Sequence, residues 1–524
     1  MAPDSQWHLL LADTDETQAY VFESSRLPEI RGASRQIHDG NQELVGIVAQ
    51  AGGRTIYAGG GGLLALVPSP QAQSVVDALE AYLPHKTGAA TLTAAARTLP
   101  PDAAADQFGQ VTNWLAHILR RRKESKAAPP IWETLPHQVR CASCQKRPAL
   151  AGLAGEWCEV CWQKRNYQAR FAWFKHFEQF LGSRSHNYYA NRQDRTDHPQ
   201  DMNELGQACH SRNGYVAFIY LDGDRIGQLL QAIPTEALYR DFSHTMQQVT
   251  ETAVFKALAD HLQLTQVTGS PAREEVGEKH LVGKPIWIHP FEIITIGGDD
   301  VMLIVPAEAA LPIATAIGQA FGQQMTQFVR EKLGRKEETV SMSGGVVIAD
   351  DHTPVRLLRE LAGQLQDEAK KLPNGGLDFL VLKSADMLAD SVEGVRSQYP
   401  YLLVGGDRRT GKDLRLVARP YSYPEAVTIW ESLGKLKQAN FANSQLHLLA
   451  RSLLDGRSPA TLFYEYQRSR NSRDRRAYAQ LQVLFTSLYG EDEHDPLPWQ
   501  AVSEADYSYR TALWDIAELY DFVA

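Results

Sequence analysis

The sequence predicts an α+β fold with two ferredoxin-like palm domains, a four-cysteine zinc-ribbon linker between them and a C-terminal helical domain. Three observations lead to this prediction. A glycine-rich hairpin flanked by apolar strands occurs twice, at residues 55–68 and 293–306. Two Cys-x-x-Cys pairs lie between the two copies. Apolar residues at helical spacing dominate residues 424–524.

The composition is that of a globular protein with several domains. The 524 residues suggest three or four domains, and 44% hydrophobic with 22% charged residues is ordinary for such a protein. The net charge of −9 argues against a general nucleic-acid coat. No apolar run approaches the roughly 18 residues of a membrane span, and the N-terminus lacks a signal-peptide pattern. Four of the five cysteines lie in one metal-type cluster, so we expect a cytoplasmic location.

The second hairpin places two aspartates directly after two glycines. Its turn, Gly297, Gly298, Asp299 and Asp300, lies between two almost wholly apolar strands. Adjacent carboxylates at the edge of a core are costly unless a cation neutralises them. Glycines also leave the backbone open to a polyphosphate. The pattern therefore predicts a site for two Mg²⁺ or Mn²⁺ ions of the kind that supports phosphoryl transfer. A solvated acidic turn is the less favoured alternative.

The first hairpin repeats this pattern without its acids. Residues 59–62 are all glycine, where the second copy has its Gly-Gly-Asp-Asp turn. Upstream of each hairpin, an apolar strand ends in Asp-x-Asp, at 13–15 and at 222–224. We interpret the chain as a duplicated module with one metal-competent copy. The extra length of the second copy, near 265–285, is predicted to be a surface insertion.

The remainder of the second copy completes a palm. Helical spacing predicts helices at 308–332 and 354–371, and apolar runs predict strands at 339–349 and 377–382. We summarise the element order as β-α-β-β-α-β, which is ferredoxin-like. Asp222 then ends the first strand beside the hairpin, so its carboxylate is expected to converge with those of the Asp-Asp pair on one metal site.

Lys370 precedes a glycine-rich turn at the end of the second of these helices. Its ammonium group is a candidate for binding a triphosphate. A solvated helix C-terminus explains a lysine there equally well, so both interpretations stay open.

The cysteine spacing predicts a closed, structural zinc site. Its four ligands are Cys141, Cys144, Cys158 and Cys161. The fifth cysteine, Cys209, is expected to be a small buried residue. Together the patterns predict a degenerate first palm at 1–100, a helical linker with the zinc ribbon at 101–210, a GGDD palm at 211–395 and a helical domain at 396–524.

The chain resembles the large signalling subunit of type III CRISPR effector complexes, the Cmr/Csm large subunit. It shares with that family Asp-Gly-Asp-Arg-Ile-Gly at 222–227, the GGDD turn, a degenerate first palm, the ribbon and a helical C-terminal domain, in this order. The resemblance is best at 8–68 and 215–385. A GGDD turn alone would also suit diguanylate cyclases, and its GDD core recurs in viral RNA polymerases. The duplicated palm with an intervening ribbon separates this family from both.

The resemblance implies a palm of the nucleotidyl cyclase and polymerase type that polymerises ATP into cyclic oligoadenylates when target RNA pairs with guide RNA. Asp222, Asp299 and Asp300 are implied as catalytic metal ligands. The residues implied to contact nucleotides are Gly223, Gly297, Gly298 and Lys370 in the second palm and Gly59, Gly60, Gly61 and Gly62 in the first. The implied partners are ATP, the other subunits of the complex and, mostly indirectly, guide and target RNA, but no membrane.

Many members of the family begin with an HD nuclease domain. This chain enters its first palm by about residue 8, so no HD nuclease activity is expected. The dipeptides His38-Asp39 and His494-Asp495 lack the other ligands of such a site and are interpreted as chance.

Three further motifs are weaker. Residues 406–413 fit the glycine-lysine pattern of a phosphate loop, but Asp413 takes the place of its Ser or Thr, so a basic hairpin loop is expected. The basic runs at 120–123 and 468–476 are either contacts for RNA or a partner, or solvated helix faces.

Two other functions stay open at this point. One is a catalytically idle scaffold subunit of the same complex, and the other is a stand-alone cyclic nucleotide synthase. A template-directed RNA polymerase is less favoured, because finger and thumb insertions are not evident around the palm.

Overall fold

The computed structural model confirms the predicted α+β fold, with two ferredoxin-like palms, a four-cysteine cluster between them and a helical C-terminal region. No helix in the described part of the chain is long and apolar enough to cross a membrane. The structure describes residues 7–100, 106–126, 134–153, 156–182, 187–190, 196–383, 389–397, 403–404, 413–470, 475–490, 498–502 and 507–523.

The first palm, residues 7–98, is a four-stranded antiparallel sheet. Its elements are β1 (Trp7–Thr14), α1 (Thr17–Val21), α2 (Leu27–Gln50), β2 (Arg54–Gly59), β3 (Gly62–Pro68), α3 (Ala72–Thr87) and β4 (Leu92–Thr98). The strand order β2-β3-β1-β4 is ferredoxin-like. Successive side chains of β1 point to opposite faces. Leu10 and Ala12 therefore pack with α2 and α3, whereas Leu9 belongs to a second core on the other face.

The linker covers that second face and carries the cysteines. Its elements are α4 (Phe108–Ser125), α5 (Glu159–Arg165), α6 (Ala172–Gly182), β5 (Thr196–Asp197) and α7 (Met202–Gln207). Helix α4 lies against β1 and β4. Helix α5 docks so closely on α2 that a side chain at Gly32 would collide with the carbonyl of Lys164. An ion pair of 3.1 Å between Arg165 and Glu29 adds to this contact, so the cysteine module is fastened to the first palm.

The second palm, residues 215–381, has one more helix and one more strand after those of the predicted element order. Its elements are β6 (Tyr215–Gly223), α8 (Ile226–Gln231), α9 (Glu236–His261), β7 (Thr265–Thr268), α10 (Ala272–Glu275), β8 (Pro285–Ile288), β9 (Glu292–Gly297), β10 (Asp300–Pro306), α11 (Ala310–Lys332), β11 (Met342–Asp350), α12 (Val355–Ala369) and β12 (Gly376–Val381). The sheet order is β12-β11-β6-β10-β9. The four strands β11, β6, β10 and β9 have the ferredoxin-like order. The predicted order β-α-β-β-α-β leaves out the α12–β12 unit, which crosses over and adds a fifth strand parallel to β11.

The predicted insertion at 265–285 is anchored to the body of the protein. Strands β7 and β8 pair with each other, and β5 from the linker joins them. The guanidinium of Arg273 is fully buried and binds Glu204 at 2.6 Å and Asp197 at 3.0 Å. These contacts hold the insertion beside the palm.

The C-terminal region is mostly helical. Its elements are α13 (Val392–Ser397), β13 (Leu403–Val404), β14 (Asp413–Arg415), α14 (Tyr423–Gln438), α15 (Asn443–Ser452), α16 (Arg457–Arg470), α17 (Arg475–Tyr489), β15 (Gln500–Ala501), β16 (Tyr507–Arg510) and α18 (Leu513–Tyr520). In the small sheet β13-β14-β16-β15, β13 and β14 pair antiparallel on either side of residues 406–412, as expected for the predicted basic hairpin. Strands β15 and β16 were not predicted, because runs of two to four residues are too short to show an alternating pattern. The Tyr423 hydroxyl donates to the Met342 carbonyl at 2.8 Å and ties α14 to the second palm.

A buried ion pair joins the two palms. Arg31 in α2 donates to the carboxylate of Glu292, the first residue of β9, at 2.8 Å, and both side chains are 1% exposed. Arg31 also donates to the Pro199 carbonyl at 2.7 Å. One turn further along α2, the Ser34 hydroxyl donates to the Ile294 carbonyl. Helix α2 is thereby fixed along the edge strand that leads into the GGDD turn.

Arg31→Met is expected to lower the free energy of unfolding by roughly 3–5 kcal/mol, because the Glu292 carboxylate stays buried without its cation. Arg31→Met/Glu292→Leu is expected to recover most of that loss. Urea unfolding followed by tryptophan fluorescence measures both. Lys256→Met, which breaks an exposed pair with Asp260, is the control and should change stability by less than about 0.5 kcal/mol. A double variant as unstable as Arg31→Met would contradict this account.

Candidate active site

The GGDD turn is a two-residue hairpin loop held by α9. Asp300 pairs with Gly297 in the β9–β10 ladder, so Gly298 and Asp299 form the loop. Gly298 has a φ of +68°, which side chains rarely allow. Gln247 accepts a hydrogen bond from the Gly298 N–H at 2.7 Å, and the Thr250 hydroxyl donates to the Gly298 carbonyl at 2.7 Å. Both backbone groups of the loop glycine are therefore fixed from one side.

Asp222 lies beside the start of β10, as predicted. It follows Leu221, which pairs with Val301, so Asp222 and Asp300 occupy neighbouring strands. Lys370 at the end of α12 forms an ion pair with Asp222, and Gln366 donates to the same carboxylate at 3.4 Å.

Gly223 leaves the space into which the Asp299 side chain fits. A Cβ at Gly223 would lie 2.7 Å from the Asp299 carboxylate. Asp299 therefore packs against the end of β6, one residue beyond Asp222.

Burial makes the two turn acids hard to ionise. Burial, and then the charge of Asp222, raise the pKa of Asp299 to about 7. The same two causes and the neighbouring Asp299 raise the pKa of Asp300 well above its ordinary value. Carboxylates in this situation gain most from a bound cation.

The acids around the turn suit a hard divalent cation in their chemistry but not in their spacing. The side chains offer carboxylate oxygens, which Mg²⁺ and Mn²⁺ prefer. Asp224 adds an acid whose pKa is raised by burial and whose Oδ1 is buried without a partner. Among the described residues, however, Asp222, Asp299 and Asp300 do not form a set whose ligand atoms all lie within 4.8 Å of one another. Lys370 supplies the positive charge at Asp222 instead.

The glycine turn of the first palm touches the GGDD turn. Gly59 pairs with Gly62, so the loop residues are Gly60 and Gly61. A Cβ at Gly297 would lie 2.9 Å from the Cα of Gly60. The acid-free and the acid-bearing turn are therefore neighbours in space, in line with the resemblance, which implies nucleotide contacts on both turns.

Two lysines neutralise the first-palm acids. Lys123 binds Asp13 at 2.6 Å, and Lys126 binds Asp15 at 2.8 Å. Burial raises the pKa of Asp13 despite Lys123. Burial acts in the same direction on Asp15, but the hydrogen bonds from Lys126 and Thr93 outweigh it and hold the pKa of Asp15 below its ordinary value. The first palm thus carries its own counter-ions.

These pairs also bear on the basic run at 120–123. Arg122 pairs with Glu80 at 3.0 Å and Lys123 with Asp13, whereas Arg120 and Arg121 are exposed. Half of the run thus contacts the first palm.

The four predicted zinc ligands lie together and are buried. The sulfur atoms of Cys141, Cys144, Cys158 and Cys161 all lie within 4.8 Å of one another. The distance of 3.9 Å between the sulfurs of Cys144 and Cys158 is close to the roughly 3.8 Å edge of a tetrahedron with zinc–sulfur bonds of about 2.3 Å. The four thiols therefore fit a structural zinc ion. Cys209 is buried elsewhere, 3.6 Å from the Ser211 hydroxyl.

The HD dipeptides and the weaker motifs do not form a binding or catalytic site within the described residues. His38 packs edge-on against Trp173, with ring centroids 5.3 Å apart, and Asp39 accepts a hydrogen bond from Tyr167 at 2.8 Å. His494-Asp495, residues 406–412 and the centre of the second basic run, 471–474, lie outside the described residues.

Several side chains of the site were not predicted from the sequence. Gln247 and Thr250 lie mid-helix, and Lys123 and Lys126 belong to a run interpreted only as a basic patch. Tyr57 could have been noticed in the sequence. It lies two residues before the glycine turn, and the second copy has the smaller Thr295 at the equivalent position.

Comparison with known proteins gives a match for the second palm. Residues 215–381 match the family model of the Cas10/Cmr2 second palm domain. The predicted resemblance to the type III large subunit is confirmed. No curated protein matches the chain.

Solved structures extend the Cas10-like fold to the whole chain. The Csm1–Csm4 subcomplex of the type III-A CRISPR-Csm interference complex matches with a TM-score of 0.55 and 13% identity, over 100% of this chain and 72% of that chain. A Csm1–Csm4 cassette in complex with cA3 matches with a TM-score of 0.53 and 13% identity, over 100% of this chain and 71% of that chain. Csm1 of T. onnurineus matches with a TM-score of 0.52 and 12% identity, over 99% of this chain and 70% of that chain. At these identities the similarity establishes the fold.

The cysteine geometry predicts about one zinc ion per chain. Cys144→Ser should lose the metal, because a hydroxyl is a poor replacement for a thiolate ligand. Colorimetric zinc release from the purified full-length chain measures this. Cys209→Ser is the matched control and should keep the zinc content of the wild type. Equal zinc in both variants would contradict the assignment.

Proposed function

We propose that this protein is the large subunit of a type III RNA-guided defence complex and converts ATP into cyclic oligoadenylates when target RNA is bound. The observation that carries the proposal is the contact between the acid-bearing turn at 297–300 and the glycine turn at 59–62. Two nucleotides seated on these turns would have their reacting groups side by side. Structures of the similar Csm1–Csm4 cassettes contain cA3, cA4 and pppApA, which supports this class of product.

The proposed roles follow from the chemistry of the residues. Asp222, Asp299 and Asp300 would hold two Mg²⁺ or Mn²⁺ ions, and Gly223, Gly297 and Gly298 would lie against the nucleotide. When bound, such ions lower the pKa of an attacking 3′-hydroxyl and offset the charge on leaving pyrophosphate. Residues 59–62 would form the surface for the second nucleotide. We further propose the domain limits 1–100, 101–210, 211–395 and 396–524.

Only one of the two palms would take up metal. In the first palm, Lys123 and Lys126 already neutralise Asp13 and Asp15. In the second, burial and the charge of Asp222 raise the pKa values of Asp299 and Asp300, so the charged forms of these acids gain most from a bound cation. This asymmetry suits a reaction in which one nucleotide is activated and the other attacks it.

The partners proposed are the other subunits of such a complex, with guide and target RNA bound mostly through them. Similar Csm1 chains are found with Csm4. One observation favours the alternative of an idle scaffold, since the ion pair with Lys370 occupies Asp222, a proposed metal ligand. The two variant series below separate these functions.

Asp299→Ala/Asp300→Ala should reduce product formation by at least about 10³-fold, because removing the metal ligands removes most of the electrostatic stabilisation of the transition state. The complex reconstituted with target RNA is incubated with ATP and Mg²⁺ or Mn²⁺, and products are identified by mass spectrometry. Asp350→Ala, at an exposed acid remote from the turn, is the control. Equal turnover in the wild type and the double variant would overturn the catalytic role of this turn.

Lys370→Ala should lower kcat/KM for ATP by about tenfold or more, the effect of losing one charge-assisted contact to the triphosphate. The matched control is Lys371→Ala, because Lys371 is exposed and pairs with Glu368 at 2.6 Å on the outer side of the same helix end. Initial rates at varied ATP concentration measure both. If the two variants behave alike, Lys370 does not contact the triphosphate.

A further inference from the structure

We propose that Tyr57 is a nucleotide-binding residue supplied by the first palm, and that its hydroxyl donates a hydrogen bond to a phosphate oxygen of the nucleotide held on the GGDD turn. The inference rests on the proposed function, since it assigns a further residue to the same site.

Tyr57 reaches from one palm to the other. It lies in β2 next to a β-bulge between Thr55 and Tyr57, a feature that re-aims side chains. A Cβ at Gly59 would lie 2.8 Å from the Tyr57 hydroxyl, and a Cβ at Gly298 would lie 3.4 Å from it. A Cβ at Gly60 would be 3.8 Å away. The hydroxyl therefore lies where the two glycine turns meet, and glycine at 59 leaves room for it.

The hydroxyl has no hydrogen-bond partner among the described residues. The backbone groups of Gly298 nearby do have partners, because side chains of α9 hydrogen-bond both its N–H and its carbonyl. Tyr57 is half-buried, with its ring packed against the core. A rigid aromatic ring with an unused hydroxyl at its tip is preorganised to bind a ligand.

The surroundings favour a donor role. The Tyr57 phenol lies near the carboxylates of Asp299, Asp300 and Asp13, and with an ordinary pKa of about 10 it is protonated at neutral pH. A neutral O–H can lie beside these carboxylates without competing with a metal ion for them. A lysine there would compete, as Lys123 does at Asp13. A phosphate oxygen next to the metal-binding acids is the acceptor that such a donor would meet.

The test compares Tyr57→Phe with Tyr239→Phe. Each change removes one hydroxyl from the same region. Tyr239 packs edge-on against Phe108, with ring centroids 5.5 Å apart, and does not come within 4 Å of the Cβ position of Gly298. The full-length chain is titrated with α,β-methylene-ATP in the presence of Mn²⁺. Tyr57→Phe should weaken binding by roughly tenfold, as expected for a hydrogen bond to a charged group, and Tyr239→Phe should not. Turnover of ATP by the reconstituted complex is measured in parallel.

The outcomes separate the two proposals. Unchanged affinity and turnover in Tyr57→Phe, with turnover lost in Asp299→Ala/Asp300→Ala, overturns the role of Tyr57 and leaves the proposed function. A tenfold affinity loss in Tyr57→Phe, without any product from the wild type, supports the contact and overturns the proposed reaction. A wild type that neither binds the analogue nor forms product overturns both.

Discussion

The buried ion pair between Arg31 and Glu292 is the contact on which the arrangement of the two palms depends. Glu292 begins β9, and β9 ends at Gly297, so the position of Glu292 sets the position of the GGDD turn. An unpaired charge at this depth would be too costly to keep. The two palms are therefore held in one relative position, in which Gly60 meets Gly297. The same helix that carries Arg31 also carries the cysteine module, through Glu29 and Gly32. Helix α2 therefore connects the predicted zinc site to the strand that leads into the GGDD turn, although the zinc site is not part of that turn.

The two palms solve the same electrostatic problem in different ways. Each sheet ends its central strand with acids that are costly to bury. In the first palm, lysines at the end of α4 neutralise Asp13 and Asp15 within the fold. In the second, Lys370 forms an ion pair with Asp222, and burial raises the pKa values of the turn acids. Duplication followed by divergence of the counter-ions would give such a pair.

The candidate site was predictable where its signal is local. Gly297 to Asp300 stand together in the sequence, and the apolar strands around them show that the acids lie at the edge of a core. The four cysteines are equally local in their spacing. Tyr57 could not be assigned from the sequence, because its importance comes from lying 3.4 Å from the Cβ position of Gly298 in the other palm. The fifth strand β12 was missed as part of the sheet, since the pattern shows a strand but not which neighbour it pairs with.

The sequence by itself determined the α+β class, the duplicated palm, the cysteine cluster and the identity of the acidic turn. These depend on period, spacing and turn chemistry, which act over a few residues. Only the tertiary structure decided that the two turns touch, that Arg31 binds Glu292 across 261 residues and that Lys123 binds Asp13 across 110. Such contacts depend on how helices and sheets pack. A buried charge is costly without a partner close in space, and that partner can lie anywhere in the chain.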